Sequence, residues 1–471
     1  MKLEEFFDIK YVLSQLIKNT VFEGKTYIVG GAVRDLYMKR EIKDIDVVVN
    51  IQGGGLKLAQ HLYNIGALLR EPVEYPQYSV SMFVLKRFPD VEIEAVQTRK
   101  EQYLDSNSRN PETAFGSIEE DCIRRDLTIN ALYLNVSTSE VLDLTDGMAD
   151  IDNHVIRVTN DSPDVVFIDD PLRILRVVRF ASRFGWDVEK NTFEAMKRNV
   201  DRLSIISVER VNDEFSKIIT CDHPKMALNM LKEIGAMHYI VPEAEALYEC
   251  RQNEFHGFDT VWEHTVDFVE ALQSNDLELR LAAFLHDIGK PATRSVGKDG
   301  KVHFYLHEFE GAKMTKDILQ NLRYSNDVIK DVVFYVKNHM KAYCFKADAP
   351  ILKVVRKMQY DSESQEKFLK LMLIMQADRM SVPDDYKEPD FYEKMKAYDQ
   401  KLVDEGNAVY GYKLPVNGND IMEFLHIPGG HEVHEYKEAL LNHAIKCDPH
   451  LTREQCFKLL KGYKNQPKKS K

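Results

Sequence analysis

The chain has 471 residues, 44% of them hydrophobic and 29% charged, with a formal net charge of −12 at pH 7, which is too long for one core and predicts three or four units of roughly 100–200 residues. No apolar run of about 18 residues exists and the start, Met1-Lys2-Leu3-Glu4-Glu5-Phe6-Phe7, is charged, so neither a membrane-spanning helix nor a secretory signal is expected and the protein should be cytoplasmic. Six cysteines without a CxxC spacing exclude a zinc knuckle and a disulfide framework.

In chain order, Tyr27-Ile28-Val29 reads as a short apolar strand. Gly30 and Gly31 then let the backbone turn tightly, and Ala32 to Met38 reads as a helix whose first amides face a triphosphate. Arg34 and Asp35 lie within one turn of that start, so Gly30, Gly31, Arg34 and Asp35 form a candidate phosphate cradle. Nine residues on, Asp44 and Asp46 stand at i and i+2 before an apolar run, Val47-Val48-Val49. On a strand both carboxylates project from one face, as two-metal phosphoryl chemistry requires. A second strand, Val91 to Val96, carries Glu94 as a candidate third acid.

Thr98 to Tyr103 and Ser108-Arg109-Asn110-Pro111 lack apolar periodicity and read as a flexible loop beside the site. From Glu119 to Leu132 a charged stretch turns apolar. Here Arg124 and Arg125 can neutralise phosphate, and Asp126 and Asn130 can fix a sugar or the loop.

Further on, Trp262 to Ala377 is helical in pattern, and Leu277 to Leu285 leads into His286-Asp287-Ile288-Gly289-Lys290. Adjacent His and Asp near a helix end can both turn toward one metal, with His264, His307, His339 and Asp378 as candidate partners. Segment 381–412, with Pro383 and Pro389, reads as a polar linker, and Lys413 to Gly430 as a turn-rich helical hairpin.

Four segments taken together, GGAVRD with DID, TRKEQY through SRNP, RRDLTINA, and DDPLRILRVVRF at Asp169 to Phe180, resemble the class II tRNA nucleotidyltransferase and bacterial poly(A) polymerase superfamily over about the first 245 residues. The resemblance implies magnesium on Asp44 and Asp46, nucleotide contacts from Gly31 and Arg34, and the paired arginines of the RRD motif at Arg124 and Arg125. It also implies a base-reading template at Asp169-Asp170-Pro171-Leu172-Arg173, where Asp169 replaces the family's usual Glu. Asp170 and Arg173, at i and i+3, are expected on one helix face, the carboxylate accepting from an exocyclic amine and the guanidinium donating to ring acceptors. Arg176 and Arg179 continue the spacing and would face phosphate or the primer end, while Ile174, Leu175, Val177, Val178 and Phe180 supply the buried face.

The later region is similar to the HD phosphohydrolase domain. That likeness implies a divalent metal on His264, His286, Asp287 and Asp378, a second metal or a phosphate contact at His307 and His339, and phosphate stabilisation by Lys290. Net acidity fits an RNA partner poorly, but the balance reverses locally: nine basic residues against six acidic from Asp170 to Arg210, and seven against one from Arg453 to Lys471. The first run reads as the neck along an acceptor stem and the second, ending Asn465-Gln466-Pro467-Lys468-Lys469-Ser470-Lys471, as a disordered basic tail.

The expected architecture is multidomain α/β plus α. A mixed-sheet nucleotidyltransferase head spans 1–150, a helical neck 151–245, an all-helical HD domain 250–385, and a linker with a helical basic tail 386–471. The implied activity is CCA addition from CTP and ATP to the tRNA 3′ end, with HD hydrolysis of 2′,3′-cyclic or terminal phosphates. A poly(A) polymerase, a partial CC- or A-adding enzyme, or an HD phosphohydrolase with a non-catalytic RNA-binding head remain as alternatives.

Overall fold

The computed structural model describes residues 1–102, 112–252, 259–272, 274–298, 300–344, 351–381 and 387–464. These fall into two compact units, Met1–Pro242 and Glu243–Lys471.

The first unit is built on a seven-stranded mixed sheet. Its strands in chain order are β1 (Thr26–Val29), β2 (Ile45–Val49), β3 (Val73–Tyr75), β4 (Val80–Val84) and β5 (Glu92–Gln97). A separate two-stranded hairpin, β6 (Arg99–Gln102) and β7 (Glu112–Phe115), precedes the sheet's last strands, β8 (Leu132–Asn135) and β9 (Val141–Asp143). The spatial order is β3-β4-β5-β2-β1-β8-β9; β2 and β5 run parallel and every other pair antiparallel. Arg99 to Gln102 are therefore paired strand, with Arg99 opposite Phe115, rather than flexible loop. The hydrogen-bond ladder compensates for their poor apolar periodicity. The expected loop from 103 to 111 lies outside the described residues.

Helix α1 (Leu3–Leu16) precedes β1, α2 (Gly31–Tyr37) follows it, and α3 (Gly54–Asn64) follows β2. A Cβ on Gly55 would stand 2.3 Å from the Ala95 carbonyl oxygen, so only glycine lets α3 lie this close to the sheet. On the other face α4 (Ile118–Ile123) packs Ile118 and Cys122 against Val29 and Val48. The strand alternation leaves Asp44 and Asp46 outward while Ile45 and Val47 are buried.

The rest of this unit is mostly helical, with one short parallel strand pair, Val155–Ile156 with Asp187–Val188: α5 (Gly147–Asp152), α6 (Pro163–Asp169), α7 (Leu172–Phe184), α8 (Lys190–Asn199), α9 (Val208–Ile219), α10 (Pro224–Glu233) and α11 (Met237–Ile240). In α7 the apolar stripe Ile174, Leu175, Val177, Val178 and Phe180 is buried, as its spacing predicts.

The second unit contains α12 (Val261–Ala271), α13 (Leu277–Leu285), α14 (Lys290–Thr293), α15 (His307–Asn321), α16 (Asn326–Asn338), α17 (Ile351–Ser362) and α18 (Gln365–Met380). One two-stranded hairpin, Arg294–Val296 with Val302–Phe304, interrupts these helices. The expected linker 381–412 holds a further helix, α19 (Phe391–Asp404). Phe391, Met395 and Leu402 recur at helical spacing and are buried, and buried Asp399 accepts hydrogen bonds from Gln359, Gln365 and Tyr410. Polarity there marked a satisfied buried carboxylate as much as a solvated face.

The tail comprises α20 (Gly418–Leu425), α21 (His431–Lys446) and α22 (Arg453–Lys464), with a core of its own around Ile421, Leu440, Ala444, Cys456 and Leu460. The run from Arg453 expected to be disordered is helix α22 as far as Lys464, because Cys456 and Leu460 are buried in that core; 465–471 lie outside the described residues. No helix among the described residues is long and apolar enough to cross a membrane, and Cys122, Cys221, Cys250, Cys447 and Cys456 are not joined in disulfides.

Candidate active sites

The parallel pairing of β2 with β5 sets Glu94 directly opposite Asp46, and the antiparallel pairing of β1 with β2 sets Val29 opposite Asp46 on the other side. The strand feeding the glycine turn and the strand carrying the carboxylates are thus neighbours. Gly30 caps α2 with φ +69°, a conformation that side chains with a Cβ rarely adopt. Although the Asp46 side chain stays open to solvent, the protein atoms packed round it, then the charge of Glu94, push its carboxyl up to about 6, with Asp44 adding to this and Arg125 pulling the other way. Glu94 and Asp44 bring two further negative charges up to Asp46, and carboxylate oxygens are the ligands hard divalent cations take, although the oxygens of the three are not drawn within 4.8 Å of one another as two groups of the second unit are.

The sign of that shift gives a measurable consequence. A carboxyl raised above its usual value of about 3.9 binds more protons folded than unfolded, so stability from this group falls as pH rises from about 4 through 6. A bound cation removes the penalty. Magnesium should therefore raise the melting temperature more near pH 7.5 than near pH 5, as followed by calorimetry. Equal increments at both pH values would remove Asp46 from the ligand set.

Around these acids the cationic residues are tied into a network. Arg34 is buried and donates to Asp35 at 2.8 Å and to the Asn130 side-chain oxygen at 2.5 Å. Asn130 in turn donates to Asp126 at 3.2 Å, and Asp126 pairs with Arg176 at 2.6 Å. Burial opposes the charged form of Asp126, yet Arg176 and Asn130 outweigh it and hold the carboxyl at about 2. Asp126 and Asn130 thus serve as the link between α2 and α7.

Arg124 and Arg125 converge on Asp121, at 2.6 and 3.2 Å. Asp121 is fully buried and also accepts from Tyr133 at 2.6 Å and from the Arg99 amide at 3.0 Å. It was not singled out in the sequence; its place three and four residues before two arginines, in the helical stretch entering the RRD motif, is the signal that could have found it.

Two expectations about α7 are corrected. Asp170 and Arg173 do not share a helix face, because Asp170 precedes Pro171 and is extended at φ −141°, ψ 99°, with α7 beginning only at Leu172. Steric clash with the proline ring excludes the helical conformation for the residue before it. Asp170 instead accepts from the Leu172 amide at 3.2 Å and pairs with Arg210 at 2.9 Å, while buried Arg173 donates to the Arg124 carbonyl at 2.6 Å. Arg176 and Arg179 are likewise not presented bare: Arg179 pairs with Glu214 at 2.8 Å, and Arg176 with Asp126.

The second unit gathers six donors in its interior. The ligand atoms of His264, His286 and Asp378 lie within 4.8 Å of one another, and those of Asp287, His307 and His339 do the same. All six are buried. Asp287 lies between the groups, 3.0 Å from His286 and 3.3 Å from His307.

His286, His307 and His339 each place Nδ1 against a backbone carbonyl, of Ala283 at 2.8 Å, Phe304 at 2.8 Å and Val336 at 2.6 Å. A carbonyl only accepts, so Nδ1 carries a hydrogen and Nε2 is the atom turned to the centre; at His307 burial is outweighed by the neighbouring Asp287, which holds the imidazole above its usual value. Burial, then Lys290 and His286, push His264 down to about 3; burial and His286 push His339 down to about 4. Neutral imidazoles beside a carboxylate suit a transition metal. Lys290, expected to contact phosphate, instead pairs with Asp287 at 2.6 Å and donates to Gln252 at 2.8 Å, since one helical turn places it beside that carboxylate.

Comparison with known proteins agrees with this division. The sequence model described as the Poly A polymerase head domain matches residues 26–157, that of the probable RNA and SrmB-binding site of polymerase A matches 185–247, and that of the HD domain matches 259–382. The protein is thus a nucleotidyltransferase that also carries an HD domain. A multifunctional CCA protein of Vibrio parahaemolyticus is 30% identical over 368 residues, covering 75% of this chain and 85% of the relative. That of Aliivibrio salmonicida is 32% identical over 323 residues, 66% of this chain and 74% of the relative.

The chain belongs to the class II tRNA nucleotidyltransferase and poly(A) polymerase family, in the company of the multifunctional CCA proteins. Its fold is that of the CCA-adding enzyme of Bacillus stearothermophilus solved with CTP, at a TM-score of 0.69, 21% identity and 98% coverage of both chains. The Thermotoga maritima CCA-adding enzyme solved with tRNA gives 0.59 at 18% identity, covering 98% of this chain and 96% of that one.

Proposed function

We propose that the protein adds CCA to the 3′ end of tRNA from CTP and ATP. The observation that carries this reading is Glu94 standing opposite Asp46, beside Asp44 and next to the glycine-capped helix α2. Asp44, Asp46 and Glu94 would hold magnesium. Bound there, a pair of divalent ions supplies a lowered pKa at the primer hydroxyl and charge neutralisation at the leaving pyrophosphate.

The chain's own groups do the rest. Gly30 and Gly31 let the backbone approach the triphosphate, and Arg34, Arg124 and Arg125 turn charge toward it from their present partners Asp35, Asn130 and Asp121. Arg176 keeps Asp126 ionised, which fixes Asn130 and through it Arg34. We assign base choice to Asp170 and Arg173, which must exchange Arg210 and the Arg124 carbonyl for the base edge.

Arg173→Ala should therefore relax selection among CTP, ATP, UTP and GTP more than it slows addition, because a site built to satisfy a base edge rejects what leaves it unpaired. Unchanged selectivity would move base choice to other residues.

In this reading the segments 1–150 and 151–245 carry addition, 250–385 carry hydrolysis, and 386–471 support the RNA. His264, His286, Asp287 and Asp378 would hold a divalent metal of the HD centre, with His307 and His339 completing a second position beside Asp287, for hydrolysis of 2′,3′-cyclic or terminal phosphoesters. The deciding experiment uses a tRNA transcript lacking its 3′ end, given CTP and ATP separately and together, with the products sequenced. Two C residues from CTP alone and CCA from both are expected. A run of A from ATP alone would assign a poly(A) polymerase instead.

A further inference from the structure

Phe184, at the end of α7, is surrounded by three guanidinium groups. Arg34 lies 5.3 Å from the ring centre, Arg40 4.9 Å and Arg183 5.2 Å. They arrive from two elements, Arg34 from α2, Arg40 from just beyond its end, and Arg183 from α7. Arg34 has its own carboxylate in Asp35. Among the described residues, neither Arg40 nor Arg183 makes an ion pair within 4.0 Å; the ring is the partner they share.

Like charges gathered on one ring repel, and the aromatic face compensates only in part. The cost is visible at Arg183. Burial first, then Arg34 and Arg40, pull it below the ordinary arginine range, against the opposing charges of Asp35 and Asp222. Elsewhere on α7 the same problem has been solved internally: Arg176 has Asp126, Arg179 has Glu214, and Arg173 has the Arg124 carbonyl. Arg40 and Arg183 are the two cations of this neighbourhood whose charge is left for something else. Two planar forks held by one ring, with no carboxylate within ion-pair distance of either, match the oxygens of a phosphate.

We propose that Arg40 and Arg183 form a phosphate-binding site, built on Phe184 and separate from the cradle at Gly30 and Gly31. It rests on the nucleotidyl-transfer reading for its biological ligand. A phosphate of the RNA backbone and a phosphate of the nucleotide share the required chemistry. Placement favours RNA, since the cradle is at the first residues of α2 and exposed Arg40 lies beyond its last turn.

The test is the double variant Arg40→Gln, Arg183→Gln in the full chain, with Arg40→Lys, Arg183→Lys as the charge-retaining control. The probes are a tRNA transcript lacking its 3′ end, bound on filters across a salt series, and CTP in steady-state addition. Expected are a KM for tRNA raised on the order of tenfold and a salt dependence of binding shallower by about 0.7–0.9 per lost contact, with KM for CTP unchanged and the Lys control restoring the slope. A raised KM for CTP with unaltered tRNA binding would keep the site and assign it to the nucleotide. Wild-type tRNA affinity, salt slope and KM for CTP together in the Gln variant would overturn it. Wild-type protein that binds tRNA with this arginine-dependent slope yet extends nothing would sink the transferase reading and leave the site standing.

Discussion

Replacing Asp46 by Ala should abolish nucleotide addition while leaving the protein folded and HD hydrolysis intact. Asp46 is the central member of its group, flanked by Asp44 two residues before it and opposed by Glu94 across the parallel pair. Losing one of the carboxylates that hold two metals removes several kcal/mol of transition-state stabilisation, a rate loss on the order of 10³-fold or more. The raised pKa separates this from a folding defect. Without metal, ionised Asp46 opposes the folded state above about pH 6, so at neutral pH the metal-free variant should melt no lower than the wild type. Calorimetry without and with magnesium, beside primer extension, checks both halves. Addition at near the wild-type rate would remove Asp46 from the mechanism.

The second large effect is expected at Asp287. Its carboxylate meets His286 at 3.0 Å, His307 at 3.3 Å, His264 at 3.6 Å and Lys290 at 2.6 Å, so it serves both halves of the six-residue centre. Removing it outright would leave the buried Lys290 ammonium without its partner, a cost of about 3–5 kcal/mol. The informative change is therefore Asp287→Asn, which keeps the shape and an acceptor oxygen. Metal content by mass spectrometry should drop, and phosphoester hydrolysis should fall by at least about 100-fold, while tRNA extension stays close to wild type. The ligands of the two centres lie in different compact units, which is why independence is expected. A loss of extension matching that of Asp46→Ala would show that the two centres are not separable and that one has been misassigned.

Much of both centres could be read in the chain because their pieces are local. Period-two alternation turns Asp46 outward on β2, with Asp44 one residue before the strand begins, and two successive glycines announce a turn that a Cβ would obstruct. Adjacent His286 and Asp287 at a helix end need only the helix to be recognised. Pro171 is equally local: three-residue spacing from Asp170 to Arg173 implies a shared helix face only where no proline intervenes, and here one does. Helix α19 was missed for a different reason: Asp399 looks like a surface residue until Gln359, Gln365 and Tyr410 are brought to it.

Pairing and register belonged to the tertiary structure. Glu94 meets Asp46 only because β5 lies parallel to β2 in one register; a slip of one residue would turn Ile93 or Ala95 toward the carboxylates and bury the acid. The partners of the arginines divide the same way. Asp35 beside Arg34, and Asp121 one helical turn before Arg124 and Arg125, are local pairs, whereas only the folded chain brings Asp126 to Arg176 and Glu214 to Arg179 while setting Arg40 and Arg183 on Phe184. Which charges on α7 are neutralised depends on contacts between residues far apart in the chain. Residue type and spacing along the chain fix which groups share a local face, and packing alone decides what that face meets.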